Sequence, residues 1–235
     1  MNETESTILD NSKFYLFGIE LALVEFKNYQ NTIERFLEAE KKTLEESYQD
    51  RISKLSKDEY DSWNRIAENY SDRYSDIARI FPHNFRASFL IQIISFIEHE
   101  LKEICEQYEF SKETRYSIND LKGNNDIEKS RQYLTKSCNV NFDNLNPEWQ
   151  FILMVKRIRN KLVHHQGFVK KVEKDWGLFN DFNRKKEFFD FSTKGELVES
   201  PKLIIRNRSL NDELLNKTER FFKKLLEKEL KYSPQ

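Results

Sequence analysis

The stretch Asn146-Pro147-Glu148-Trp149-Gln150-Phe151-Ile152-Leu153-Met154-Val155, running on to Arg159-Asn160-Lys161-Leu162-Val163-His164-His165-Gln166-Gly167, decides the fold. Asn146 is a favoured N-cap residue, Pro147 suits the first helical position, and Glu148 sets a carboxylate against the positive end of the helix dipole. The run from Phe151 to Val155 is apolar nearly all round, so the helix predicted here lies at the centre of the protein. Phe151, Ile152, Val155, Ile158 and Leu162 are its expected buried residues. Gly167 provides a natural stop, since helices commonly end on a left-handed residue. With five Gly and four Pro in 235 residues, turns are too scarce for a sandwich or barrel, and the chain is expected to be all-α.

Upstream, apolar residues from Phe26 to Leu55 recur at helical spacing, within a helix predicted from about residue 8. Ser56 and Glu59 have capping-box spacing, which starts a second helix whose apolar face runs from Tyr60 through Trp63 and Tyr70 to Phe81. The pair is expected to fold back as an antiparallel hairpin arm over residues 1–81, ended or kinked at Pro82, with His83 in the turn. Residues 82–235 then form the helical core. Its third helix carries Phe89, Leu90, Ile93, Ile94, Ile97, Leu101 and Ile104 on a wide apolar stripe. A polar loop follows to a turn at Gly123-Asn124-Asn125, then a short helix over 126–138. Downstream of Gly167, residues 167–172 and 203–205 suggest a small β-hairpin, and Ser209 caps a final helix.

Hydrophobic residues are 38% and charged residues 34% of the chain, with Lys plus Arg 39 and Asp plus Glu 40, a formal charge of −1. A bulk nucleic-acid binder with a global basic field is excluded, so any polyanion site is local. No apolar run reaches the ~20 residues that span a bilayer, and no leader pattern opens the chain. Cys105 and Cys138 form no metal-like or CxxC pair, which suggests free thiols in a reducing compartment. The expectation is a cytoplasmic protein without membrane contact. No zinc signature, Gly-rich phosphate loop or Ser-His-Asp spacing is present, and neither a metal nor a cofactor is called for. His99, between Glu98 and Glu100, reads as a surface histidine or a group supporting a site from behind, and not as a metal ligand.

The chemistry concentrates at the end of the central helix, where Arg157, Arg159, His164 and His165 gather. Cations at a helix C-terminus also have a purely structural role, because they complement its unpaired carbonyls. Histidine, however, exchanges protons near neutral pH, and arginine grips phosphate with a planar fork of donors. Together they suffice for RNA cleavage without a metal.

Arg159-Asn160-Lys161-Leu162-Val163-His164 resembles the signature of the HEPN superfamily. That signature is an Arg, often followed by Asn or another polar residue, then a His after four to six intervening positions, late in a core helix. The resemblance implies a metal-independent endoribonuclease in a toxin–antitoxin or phage-defence role. It also implies a homodimer whose cleft joins two copies of the motif, and a possible antitoxin or defence-system partner. Arg159 and His164 are then the catalytic pair, with Asn160, His165 and Arg157 in support. A subset of the family has Tyr two positions after the His; Gln166 stands there in this chain. Arg157 with His164, and Arg159 with His165, also satisfy the spacing. The family pattern points to Arg159, whereas a helical wheel groups Arg157, Asn160 and His164 within about 60°. Lys170, Lys171, Lys174, Arg184, Lys185 and Lys186 form a basic stretch that contacts RNA phosphates if the resemblance holds, with Trp176, Phe179 and Phe182 as stacking faces. A catalytically silent RNA-binding domain and a helical interaction module are the alternatives.

Overall fold

The computed structural model describes residues 3–56, 59–111, 117–121, 126–184, 186–192 and 199–230, with side chains from residue 12 onward. The protein is all-α apart from one two-stranded sheet. Its helices are α1 (Glu3–Ser53), α2 (Tyr60–Ser75), α3 (Phe81–Ser111), α4 (Asp126–Lys136), α5 (Asn146–His164), α6 (Lys174–Asn183) and α7 (Ser209–Lys224). Strands β1 (Asp190–Ser192) and β2 (Lys202–Ile204) lie before the last helix. No helix among the described residues is long and apolar enough to cross a membrane. Lys185 and the turn expected at Gly123-Asn124-Asn125 lie outside the described residues.

Of the two outcomes expected at Pro82, an end to the helix is absent. A π-helical turn, Asp76–Ile80, links α2 to α3, and the Phe81 N–H bonds back to the Asp76 carbonyl five residues earlier. Proline lacks an N–H and its ring crowds the carbonyl four residues before it. One wide turn relieves that crowding without ending the helix. His83 is therefore helical and buried, not a turn residue.

The chain divides into two compact units, residues 1–25, 90–160 and 212–235 forming one, and residues 26–89 and 161–211 the other. The first unit is a helical bundle. Leu90, Ile93, Ile94, Ile97 and Leu101 of α3 and Ile152, Val155 and Ile158 of α5 are fully buried in it. Trp149 stacks on Phe221 of α7 at 5.5 Å and meets Phe142 edge-on at 5.1 Å. Phe151 and Leu162, nearer the two ends of α5, are only half-buried.

Helix α5 starts one residue earlier than the capping pattern suggests. The Trp149 N–H bonds the Leu145 carbonyl, and the Asn146 side chain accepts from the Gln150 amide instead. Glu148 is buried in the first turn and binds Lys224 at 2.9 Å. The final helix is likewise capped by Asn207, not Ser209: its Oδ1 accepts the Ser209 N–H at 3.0 Å.

The second unit contains the paired parts of the hairpin. Tyr48 stacks on Tyr70 at 4.1 Å, Tyr29 meets Phe85 at 5.8 Å, and Phe26 meets Phe89 at 5.7 Å, an antiparallel register. Arg86 grips both carboxylate oxygens of Glu34 at 2.6–2.7 Å. From residue 31 to 76 no described residue is buried, so this stretch encloses no core. The sheet is antiparallel, with Phe191 opposite Leu203. Residues 167–172 form no regular strand but run antiparallel beside the β2 segment. Phe168 bridges Lys202, and the Leu203, Val169 and Lys171 N–H groups bond the Gly167, Pro201 and Glu199 carbonyls at 2.9, 3.1 and 2.9 Å. Strand β1 also pairs with β2.

Candidate functional site

Helix α5 is regular through His164, and its end is fixed by the residues that follow. The Lys161 carbonyl accepts from the N–H groups of both His165, at 3.0 Å, and Gly167, at 2.9 Å. Gln166 and Gly167 turn the chain with φ of 52° and 85°. A Cβ on Gly167 would sit 3.3 Å from the Leu203 carbonyl, so both space and backbone conformation favour glycine.

Arg159 is half-buried in the first unit, within a small charged cluster. Glu98 of α3 binds Lys156 at 2.7 Å and lies 4.0 Å from the Arg159 guanidinium. Arg159 Nη1 donates to the Asn160 side-chain oxygen at 3.2 Å, while its Nε is buried without a hydrogen-bond partner. Two cations thus share the Glu98 carboxylate. Part of the Arg159 side chain, 22% of it, remains exposed to solvent.

His164 and His165 are exposed at the other end of the motif, and Arg157 is exposed as well. On a regular helix Arg159 and His164, five residues apart, point about 140° from each other. One copy of α5 therefore does not bring them to the same side; Arg157, Asn160 and His164 share a side. The unit boundary falls between Asn160 and Lys161.

Lys161 is buried and bound to Glu173, with Asp175 at 3.4 Å. Burial works against its charge, but the Glu173 hydrogen bond and both carboxylates outweigh it and raise its pKa. The same hydrogen bond lowers that of Glu173. This anchoring role was not legible from sequence, because its partners lie twelve or more residues away in a loop and a new helix.

Lys170, Lys171 and Lys174 are exposed, and Lys171 lies 6.0 Å from the Trp176 ring centre. Phe179 is fully buried and is no stacking face; Phe182 is half-buried against Phe188. Burial pushes the Cys105 thiol up to about 12, so it is held protonated. His99 is exposed, and no group of three or more His, Cys, Asp or Glu among the described residues is placed to hold a metal ion. Comparison of the chain with known protein families, with characterised proteins and with solved structures finds no match.

Proposed function

We propose that the protein is a metal-independent endoribonuclease of the HEPN type that works as a homodimer. The observation that carries this reading is the part-exposed Arg159 guanidinium, held only at 4.0 Å by a Glu98 carboxylate that already binds Lys156. A phosphate oxygen binds the accessible part of that guanidinium, which stabilises charge growing on phosphorus. His164 takes the proton of the ribose 2′-hydroxyl, or delivers one to the departing 5′-oxygen. The 2′-oxygen bonds to phosphorus as the 5′-oxygen leaves, giving a 2′,3′-cyclic phosphate and a 5′-hydroxyl. Because Arg159 and His164 diverge on one helix, the cleft is completed by the second copy across a two-fold axis. A defence or toxin role in the cytoplasm, held in check by a partner protein, fits such an activity. Incubation of purified protein with single-stranded RNA in EDTA, with analysis of the product ends, tests the reading.

A second reading is a catalytically silent helical interaction module. It is favoured by an uncovered apolar row on α1: Phe14, Phe17, Leu21 and Val24 are 75, 62, 51 and 50% exposed. Alternating three- and four-residue spacing is that of a helix-pairing seam. Under the first reading the occupant is a second copy. Under the second it is a different protein. RNA cleavage separates the two.

A further inference from the structure

Within the second unit lies a cavity of about 1030 Å³, lined by the turn Asp76–Ile80, the start of α3, and the sheet with the residues after β2. Four of its lining side chains are cations, Arg79, Arg86, Lys202 and Arg206, and no carboxylate lines it among the described residues. Arg86 is held by Glu34 and also donates to the Arg206 carbonyl. Arg206 pairs with Asp190. Arg79 and Lys202 have no carboxylate partner among the described residues; the Lys202 ammonium lies 5.8 Å from the Phe168 ring. Two of four cations are thus offset, and among the described residues an excess of two positive charges remains.

That excess matches a phosphate monoester, which carries close to two negative charges at neutral pH, better than a single-charged diester. His83 adds a neutral donor. Its Nδ1 accepts the Ile205 N–H at 3.1 Å, so the ring proton of the neutral form sits on Nε2. Phe191 supplies an aromatic wall, backed by Trp176 at 4.5 Å. The volume is far larger than phosphate needs and lies at the upper end of that for small-ligand sites. The wide helical turn that carries Arg79 is a local irregularity of a kind often found at functional sites.

We propose that this cavity binds a nucleoside 5′-phosphate, free or at the end of an RNA chain. Arg79 and Lys202 take the phosphate, and the base lies on Phe191. The proposal goes beyond the cleavage reading and does not depend on it, because no residue of α5 lines the cavity.

The test is calorimetric titration of the full-length protein with AMP, adenosine, inorganic phosphate and short RNA bearing either a 5′-phosphate or a 5′-hydroxyl. AMP should bind at least about tenfold more tightly than phosphate, given the usual contribution of base stacking, and adenosine should not bind. Binding of 5′-phosphorylated RNA in preference to 5′-hydroxyl RNA supports the RNA end as the source; binding of AMP without that preference supports the free nucleotide. Arg79→Ala with Lys202→Ala should weaken AMP about tenfold or more, and His164→Ala should bind AMP like wild type. Arg79 is exposed, so Arg79→Ala alone provides the same comparison if the double variant misfolds. No AMP binding at millimolar concentration, phosphate binding as tightly as AMP, or unchanged AMP binding by a folded variant overturns the proposal.

Discussion

Glu98 and Lys156 form a 2.7 Å ion pair that is largely buried on both sides, and this pair leaves the neighbouring Arg159 only loosely held at 4.0 Å. Losing Glu98 leaves two cations without their shared carboxylate, whereas losing Lys156 leaves Glu98 with Arg159 as its partner. Glu98→Ala should therefore cost about 3 kcal/mol of stability, and Lys156→Met distinctly less. Arg159→Met, which keeps the stem, should stay within about 1 kcal/mol of wild type. Urea unfolding of the three variants checks the order. A large loss in Arg159→Met alone would make Arg159 a structural residue.

His83 gives the fold a pH dependence. Burial first, then the charges of Lys202 and Arg86, lower its pKa below the ordinary 6.5. As pH falls through that value the unfolded chain takes up a proton that folded His83 still refuses, so stability falls below about pH 6.5 and is unaffected by His83 above it. The thermal midpoint of wild type should drop between about pH 7.5 and about pH 5.5. His83→Gln should start lower and fall less steeply. Equal slopes for the two proteins would contradict the assignment.

The central helix was legible because its signals are local: the apolar run, Glu148 in the first turn and Gly167 at the end all lie where the sequence puts them. The all-α fold follows from the same signals. The continuation through Pro82 was not legible, because relief by a wide turn five residues earlier leaves no residue signature. The pairing of residues 167–171 with 199–203 is legible from the apolar pattern, whereas β1 is not, because a three-residue strand has too little alternation to locate. At the motif, spacing makes Arg159 and His164 candidates but does not single them out, since Arg157 with His164 and Arg159 with His165 satisfy it as well. The carboxylate that balances Lys156 and Arg159 comes from α3, some sixty residues away, and no local pattern announces it. The basic cavity had one overlooked signal: Arg79, His83 and Arg86 follow at four- and three-residue spacing along one helical stretch.

The exposed row on α1 predicts self-association. Wild type should be a dimer at micromolar concentration by light scattering. Phe17→Glu with Leu21→Glu should give a folded monomer, because both side chains face outward and their replacement leaves the core intact. A wild type that is strictly monomeric, with or without RNA, would remove the shared cleft.

The most direct measurement is cleavage of single-stranded RNA by the purified protein in EDTA. The account predicts cleavage leaving a 2′,3′-cyclic phosphate or its hydrolysis product, and none at a position bearing 2′-deoxyribose. His164→Ala should slow the reaction about 10²–10⁴-fold, and Arg159→Ala about 10²–10³-fold without rescue by Lys. Arg157→Ala and His165→Ala should slow it less. Intact RNA with folded wild type, or a His164→Ala variant as fast as wild type, would contradict it.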